Sequence, residues 1–338
     1  MKVIQVKNLS KSYKVPKPTT NKIEKAMSLF YRKYNQIDAV KNISFDIEQG
    51  EIVGYIGKNG AGKSTTIKML TGVLMPSNGA IEINGFDPYI DRRKISSEIG
   101  VVFGQRTQLW WDLPLIDSFK LLRDIYGISE QEFRRKISQF DDVLNLQSLL
   151  NKPVRLMSLG ERMRCDIAAS LLHNPKVLFL DEPTIGLDIE AKEEIREFIK
   201  IMNREKKVTV ILTTHDMSDI EKLCSRIMFI DDGQIFFDGS QNELKELYGG
   251  MKSINLITQN PVIIPDEFRD VLEINKKSNY NIEIFYSKKD LEISDVLIPF
   301  FERNIIQEME VSEENIERVI SKLFRSLDAA TTNNMKIS

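Results

Sequence analysis

Short apolar runs alternate with amphipathic stretches along most of this chain. Apolar side chains at every second position predict a half-buried strand over residues 43–47. Continuous apolar runs predict strands buried on both faces over residues 177–180 and 208–213. Between the strands, apolar residues recur at helical spacing, most extensively over residues 115–172. Strands that alternate with helices are typical of an α/β fold with a largely parallel sheet.

Two adjacent glycines, residues 249–250, interrupt this pattern and predict a domain boundary. The large N-terminal domain is therefore expected to span residues 1–248, with a helical subdomain over about 105–172. Beyond the boundary, short strand and helix patterns predict a small α+β domain over residues 251–326. The last residues, 327–338, are polar and are expected to form a flexible tail.

A basic, amphipathic segment lies between the first two predicted strands. Residues 14–36 contain six lysines and arginines against one acidic residue, Glu24. Apolar and aromatic residues recur there at helical spacing, and Asn21 followed by Glu24 is typical of a helix start. We therefore expect a helix over about residues 21–34. Its basic face either lies in solvent, with the helix packed on its own domain, or contacts anionic lipid headgroups.

The composition is that of an ordinary globular protein, since apolar residues make up 42% and charged residues 28% of the 338 positions. The formal net charge of −2 gives no reason to expect nucleic acid as a partner. The two cysteines are far apart in sequence, so a disulfide framework is not expected. No apolar stretch approaches the ~18 residues of a membrane-spanning helix. Work at a membrane would therefore require another chain.

Residues 57–64 match the phosphate-loop pattern, in which a glycine-rich turn joins a buried strand to a helix. Glycines allow backbone N–H groups to surround phosphate oxygens, and the helix directs its positive end at the same charge. Lys63 is expected to reach the β- and γ-phosphates, and Ser64 to bind Mg²⁺. The candidate nucleotide contacts of this segment are Gly57, Asn59, Gly60, Ala61, Gly62, Lys63, Ser64 and Thr65.

Two acidic residues follow the apolar run over residues 177–180. Asp181 is placed to bind Mg²⁺, directly or through water, and the next side chain, Glu182, points toward the position of the attacking water. Phosphoryl transfer needs a metal that neutralises phosphate charge and a group that orients the water. The pair therefore predicts hydrolysis of Mg-ATP with Glu182 as the catalytic base.

The order of these motifs resembles the nucleotide-binding subunit of an ATP-binding cassette (ABC) transporter, over the whole large N-terminal domain. Residues 157–161 resemble the family signature Leu-Ser-Gly-Gly-Gln and keep its type at Ser158 and Gly160. In the family, this segment begins a helix and contacts the γ-phosphate held by the opposite subunit. Leu159 and Glu161 depart from the signature, and we expect them to bring bulk and negative charge close to that phosphate.

The same resemblance implies roles for further residues. Gln105 resembles the Q-loop glutamine, which contacts Mg²⁺ and water, and Gln108 is the alternative for that role. His215 resembles the switch histidine that contacts the γ-phosphate, and residues 185–188 resemble the D-loop. Tyr13 lies where the family stacks an aromatic ring on adenine.

The resemblance implies an ATPase with ATP and Mg²⁺ as cofactors, which drives a separately encoded transmembrane permease from the cytoplasmic face of the membrane. One phosphate loop and one signature imply half of a head-to-tail dimer, and a homodimer is expected. The small C-terminal domain is similar to C-terminal extensions of the exporter branch, and residues 104–114 and 159–162 most resemble drug- or viologen-exporter-type cassettes. The alternatives are a soluble ABC-type ATPase, the ATPase of a polysaccharide exporter, and an importer ATPase.

Trp110 and Trp111 fall in the loop that, in the family, meets the permease's coupling helix. Exposed tryptophans would suit a partner groove. The alternative is that both belong to the core of the helical subdomain. The basic insertion, in turn, resembles in its place one found in polysaccharide-exporting cassettes, and its apolar face would then pack on the membrane subunit.

Overall fold

The computed structural model describes residues 1–16, 34–104, 106–268, 271–287 and 291–335. Its residues form two compact units, Met1–Gly239 and Ser240–Ser338. The first unit has the predicted α/β architecture, and each unit has its own sheet and its own hydrophobic core. None of the helices in the described residues has the length and hydropathy required to cross a bilayer.

The first unit combines strands and helices in this order along the chain: β1 (Lys2–Pro16), β2 (Tyr34–Glu48), β3 (Ile52–Gly57), α1 (Lys63–Leu70), β4 (Asn78–Ile83), α2 (Arg92–Glu98), β5 (Ile99–Phe103), α3 (Leu115–Tyr126), α4 (Glu130–Leu144), α5 (Leu159–Leu171), β6 (Val177–Asp181), α6 (Ile189–Lys206), β7 (Thr209–Thr213), α7 (Met217–Leu223), β8 (Arg226–Asp231) and β9 (Gln234–Ser240). The second unit follows with α8 (Gln241–Tyr248), β10 (Met251–Thr258), β11 (Glu273–Lys276), β12 (Asn281–Ser287), α9 (Ile293–Arg303), β13 (Ile306–Glu313) and α10 (Ile316–Met335). Helices α2, α7 and α8 were not predicted, because two turns of helix are too short for a periodic signal.

An antiparallel sheet in the order β2-β1-β4 occupies the start of the chain. The pairing of β1 with β2 continues as far as Pro16 and Tyr34. The two strands therefore extend into the predicted insertion, because paired backbone groups satisfy each other's hydrogen bonds. The helix predicted over residues 21–34 lies outside the described residues except for Tyr34. That residue belongs to β2, so the predicted end of the helix is wrong.

Among the described residues, a six-stranded sheet has the order β5-β6-β7-β3-β8-β9. The first five strands in this order pair in parallel, so their carboxyl ends meet at one edge. β3 and β7 are buried along their whole length. Open parallel sheets bind their ligands at this edge, and it is where the phosphate loop, Asp181 and Thr213 lie.

Helices α3, α4 and α5 form the predicted helical stretch between β5 and β6. Ser129 and Ser158 cap the N-termini of α4 and α5. The side-chain oxygen of each serine accepts a hydrogen bond from the backbone N–H three residues later. Phe140 of α4 packs edge-on against Phe198 of α6, with ring centroids 5.3 Å apart. This contact joins the helical stretch to a helix that covers the parallel sheet.

Gly54 in β3 allows α7 to pack directly on the strand that leads into the phosphate loop. A Cβ at this position would lie 2.7 Å from Cδ1 of Ile220 and 3.1 Å from Sγ of Cys224. Both side chains are buried. Because protein interiors are close packed, this contact between strand and helix depends on the absence of a side chain at Gly54.

The second unit is α+β, as predicted. Its sheet is antiparallel with the order β11-β12-β10-β13. Ile254 and Ile284 of the sheet share a buried cluster with Val296 and Phe300 of α9. Phe300 also stacks on Phe268, with ring centroids 5.9 Å apart. The last helix, α10, extends into the stretch predicted as a tail.

We expect Gly54→Val to lower the free energy of unfolding by about 1–3 kcal/mol, because the new side chain overpacks the contact with Ile220 and Cys224. Urea unfolding measures this loss. Adding Ile220→Ala removes the nearest of the clashing atoms, so the double variant should lose less stability than the sum of the two single changes. Additive losses would contradict the steric explanation.

Candidate active site

The phosphate loop is the turn between β3 and α1, and backbone contacts give it its shape. Gly62 has a φ of 108°, and a Cβ there would lie 2.5 Å from the carbonyl oxygen of Ala39 in β2. At Gly57, a Cβ would lie 2.0 Å from the carbonyl oxygen of Ile230 in β8. Both positions therefore require glycine.

Lys63 begins α1 with its side chain folded back over the loop. Its Nζ donates hydrogen bonds to the carbonyl oxygens of Gly57 at 2.5 Å and Lys58 at 3.0 Å. Burial lowers the pKa of Lys63, and the charges of Glu182 and Asp181 oppose that change. The ammonium group thus lies within electrostatic reach of both acidic residues.

Asp181 and Glu182 lie where β6 ends. The hydroxyl of Thr213, at the end of the neighbouring strand β7, donates a hydrogen bond to Oδ1 of Asp181. Glu182 has a φ of 56°, a left-handed conformation that is uncommon for residues other than glycine. Its N–H donates to the carbonyl oxygen of Thr213 at 2.9 Å. Backbone strain of this kind clusters at functional sites, where the surrounding structure holds it.

Glu182 and His215 form a direct pair. Oε1 of Glu182 lies 3.3 Å from Nε2 of His215, and Oε2 accepts a hydrogen bond from the backbone N–H of His215, also at 3.3 Å. Burial raises the pKa of Glu182, while the charge and the N–H of His215 oppose that rise. A carboxylate with a raised pKa is a stronger proton acceptor, so the pair suits general-base chemistry.

These groups surround one cavity of about 660 Å³. The predicted residues that line it are Asn59, Gly60, Gly62, Lys63, Ser64, Thr65, Asp181, Glu182 and His215. Gly57 and Ala61 belong to the same loop without lining the cavity.

Lys68 and Arg106 also line this cavity, and the sequence analysis did not identify them. Lys68 follows Ser64 by four residues, a spacing that places the two on one face of α1. Arg106 directly follows the predicted Gln105. Both residues add positive charge to a cavity whose other features suit phosphate groups.

The oxygen donors of the cavity fit Mg²⁺. Ser64 supplies a hydroxyl and Asp181 a carboxylate. Mg²⁺ in nucleotide sites takes few protein ligands, because phosphates and water complete its coordination. This donor set therefore suits a metal that binds together with a nucleotide.

Three predicted contacts from other parts of the chain also lie outside the cavity. Tyr13, in β1, is 38% exposed, and Nζ of Lys11 lies 5.5 Å from the centroid of its ring. Ser158 and Gly160 lie at the start of α5 and do not line the cavity. The start of α5 therefore takes no part in lining this cavity.

Leu159 and Glu161, which depart from the family signature, both contact residues of this chain. A Cβ on Gly186 would lie 3.1 Å from Cδ2 of Leu159, so the leucine side chain packs on its own D-loop. Glu161 accepts hydrogen bonds from Nζ of Lys152 and from the backbone N–H of Ser158, each at 2.7 Å. Lys152 is the main cause of a lowered pKa of Glu161. Both side chains therefore have partners within this chain, and their expected effect on a phosphate held by the opposite subunit stays a prediction.

Asp166 of α5 joins the loop after β5 to the signature-like helix. Its Oδ1 accepts hydrogen bonds from the hydroxyl of Thr107 at 2.8 Å and from the backbone N–H of Gln108 at 3.1 Å. Burial raises the pKa of Asp166 to about 6, against the effect of these two bonds. The side-chain amide of Gln108 donates to the carbonyl oxygen of Asp166 at 3.0 Å. Gln105, the first candidate for the Q-loop glutamine, lies outside the described residues.

A second cavity, of about 460 Å³, lies beside the first. Its lining includes Arg92 of α2, Tyr126 of α3 and His173, and Val73 lines both cavities. His173 stacks on Tyr126 with ring centroids 4.1 Å apart, and its Nε2 donates to the carbonyl oxygen of Ile99 at 3.0 Å. His173 is thus built into the wall of this cavity.

Trp110 and Trp111 precede α3 on the surface. Their exposed fractions are 39% and 49%, so the interpretation that they form part of the core is wrong. The guanidinium of Arg162 lies 5.7 Å from the ring centroid of Trp111. Two neighbouring exposed tryptophans are typical of a surface that binds another protein.

Comparisons with known proteins agree with this geometry. The family model described as "ABC transporter" matches residues 40–185. The ABC transporter ATP-binding protein NatA of Bacillus subtilis (strain 168) is 34% identical over 227 residues, which are 67% of this chain and 91% of NatA. The linearmycin resistance ATP-binding protein LnrL of the same organism is 30% identical over 301 residues, 86% of this chain and 95% of LnrL. A solved dimer of the ATP-binding cassette MJ0796, in a post-hydrolysis state with ADP and Pi, is similar with a TM-score of 0.58 and 26% identity, over 70% of this chain and 98% of that one.

We expect Asp166→Asn to stabilise the protein at about pH 7.5 and to have little effect at about pH 4. The folded-state pKa of about 6 exceeds the ordinary value of 3.8, so the folded protein binds this proton more tightly than the unfolded chain. The contribution of Asp166 to the free energy of unfolding therefore rises as the pH falls from about 6 to about 4. At higher pH, the charged carboxylate lowers the free energy of unfolding by on the order of 2–3 kcal/mol. Asparagine removes that charge and keeps an oxygen for Thr107 and Gln108.

Urea unfolding at the two pH values measures this difference. Asp112→Asn is the matched control, since its carboxylate is 84% exposed. A gain for Asp166→Asn that is equal at both pH values would contradict the linkage to a buried charge.

Proposed function

Because this chain belongs to the ABC transporter family of ATP-binding proteins, whose members are ATPases, we propose that it hydrolyses ATP for an exporter and acts as a head-to-tail dimer. One observation carries the proposal. The phosphate loop, the acidic pair and His215 line one cavity, while Ser158 and Gly160 lie outside it. A cassette of this kind needs the signature of a second cassette to enclose its nucleotide.

ATP would bind with its phosphates against the phosphate loop and the N-terminus of α1, where backbone N–H groups and the helix dipole attract anions. Lys63 would exchange its carbonyl partners for phosphate oxygens. Ser64, Asp181 and Gln105 would hold Mg²⁺, which neutralises phosphate charge when bound. Tyr13 is the proposed contact of the adenine ring.

Glu182 is the proposed catalytic base. Its carboxylate contacts both Nε2 and the backbone N–H of His215. A γ-phosphate is a stronger anion and would compete for the imidazole, whose side chain is 50% exposed. His215 would then contact the phosphate, and the oxygen of Glu182 that it leaves would accept a proton from the attacking water.

The second cassette would present the N-terminus of its α5 to the γ-phosphate. Because Lys152 balances the charge of Glu161, the positive end of this helix stays available to an anion. The dimeric state of the similar cassette MJ0796 supports this arrangement. A second copy of this chain is the proposed partner.

Transport would follow from contact with a separately encoded permease, which holds this chain at the cytoplasmic face of the membrane. The exposed Trp110 and Trp111 and the neighbouring cavity beside Tyr126 are the proposed contact surface. The exporter assignment rests on LnrL, a protein named for linearmycin resistance, because the similarity covers 301 residues and so extends beyond the large N-terminal domain.

We expect Glu182→Gln to bind Mg-ATP, to lose at least about 99% of ATP turnover, and to dimerise only when Mg-ATP is present. Without the base, ATP persists and holds the two cassettes closed. Light scattering with and without Mg-ATP gives the molar mass, and phosphate release gives the turnover.

Lys63→Ala in the Glu182→Gln background is the control, since it removes the phosphate contact and should abolish dimerisation. Turnover by Glu182→Gln near the wild-type rate would exclude Glu182 as the base. A monomer with ATP bound would exclude the homodimer and point to a paralogous cassette.

For the permease surface, we expect the double change Trp110→Ala and Trp111→Ala to leave basal ATPase activity unchanged and to abolish co-purification with a polytopic membrane protein. The measurement uses the tagged chain in detergent-solubilised membranes of its own host. Ile125→Ala is the matched control, because Ile125 is 66% exposed on the same helical stretch. Equal recovery of the membrane protein with all three forms would contradict this surface.

A further inference from the structure

Asp219 is a carboxylate without solvent exposure, although it lies outside the cavity that would hold the nucleotide. It occupies the first turn of α7, the helix that packs on Gly54 of β3. A buried carboxylate persists only when its oxygens are fully engaged. Its hydrogen-bond and ion-pair partners therefore indicate its role.

One oxygen of Asp219 connects two separate segments of the proposed active site. Oδ2 accepts hydrogen bonds from the hydroxyl of Thr184 and, at 2.9 Å, from the hydroxyl of Thr214. Thr184 follows Glu182 by two residues, and Thr214 directly precedes His215. Both threonines are 2% exposed, so water does not compete for these bonds.

The other oxygen of Asp219 is neutralised from α6. Oδ1 pairs with Arg196 through Nε at 2.7 Å and through the terminal Nη2 at 2.6 Å. Arg196 also contacts Asp216 at 3.4 Å, and Asp216 in turn pairs with Lys192 at 2.6 Å. α6 begins directly after the D-loop, so this network links the D-loop, the base and the switch histidine.

We infer that Asp219 is a positioning residue that sets the distance between Glu182 and His215 by bridging Thr184 to Thr214; this inference rests on the proposed function. The two segments are already joined at the strand ends, by the hydrogen bond from the N–H of Glu182 to the carbonyl oxygen of Thr213 and by the bond from the Thr213 hydroxyl to Asp181. Contacts at the strand ends alone leave the residues beyond them free to turn. The bridge through Asp219 joins the segments again on the far side of Glu182, and contacts on both sides fix the orientation of the two side chains.

The test removes the hydroxyls and leaves the ion pair intact, because loss of Asp219 or Arg196 would leave a buried charge without its partner. Thr184→Val and Thr214→Val keep the side-chain shape. We expect each to lower kcat about tenfold with little change in KM for ATP, since phosphate binding does not use the bridge. Thr214→Val also removes the hydrogen bond that the Thr214 hydroxyl accepts from the N–H of Asp216 at 2.9 Å. The double variant should be no slower than the slower single variant, because either change already opens the bridge.

Thr209→Val is the matched control. Thr209 is also fully buried, lies at the opposite end of β7, and accepts a hydrogen bond from the N–H of Gly50 at 2.9 Å. It should lose stability without losing kcat at temperatures well below its melting point. Thr184→Ser and Thr214→Ser restore the hydroxyl and should restore kcat.

Wild-type kcat in both valine variants would overturn the inference. Losses of kcat that multiply in the double variant and follow the fall in melting temperature would also overturn it. If a valine variant does not fold, the alanine variant at that position serves the same comparison. Glu182→Gln separates the two hypotheses. Its loss of turnover together with unaffected valine variants would reject only the role of Asp219, whereas full turnover by Glu182→Gln would reject the proposed function itself.

Discussion

The close approach of the β3 and β8 backbones is the constraint on which the rest of the site depends. The carbonyl oxygen of Ile230 leaves no space for a Cβ at Gly57, and that of Ala39 leaves none at Gly62. The chain therefore turns tightly enough for α1 to begin at Lys63 with its positive end at the cavity. Because the effect of a helix dipole fades within one turn, a looser turn would leave phosphate groups beyond its reach.

The loop after β5 connects the acidic turn to the signature-like helix. The N–H of Gly104 donates to the carbonyl oxygen of Asp181 at 2.7 Å, and a Cβ on Gly104 would lie 2.4 Å from the carbonyl oxygen of Glu182. A few residues later, Thr107 and Gln108 bond to Asp166 of α5. A displacement of this loop by nucleotide or by a partner must therefore move the acidic turn, the helix, or both.

Much of the active site was predictable from the sequence, because short stretches of consecutive residues define its strands, its phosphate loop and its acidic pair. β6 and β7 match their predicted bounds to within one residue, and the phosphate loop and acidic pair follow buried apolar runs that end in specific residue types. The contacts that Leu159 and Glu161 make within their own chain were not predicted, because a family pattern does not show which neighbour a side chain finds there. No sequence pattern distinguished Asp219. It is one acidic residue of a short helix, like the exposed Glu221, and its burial follows from the long-range packing of α7 on Gly54.

The contact of Leu159 with Gly186 bears on how two sites in a dimer would communicate. The signature-like segment serves the partner's nucleotide in the proposed dimer, whereas the D-loop follows this chain's own base. Leu159 packs on the D-loop at Gly186, and the bridge through Asp219 holds Thr184, two residues earlier, to the segment of His215. Because both steps are direct contacts within close-packed regions, closure on one ATP would change the geometry of the base and the histidine at the other.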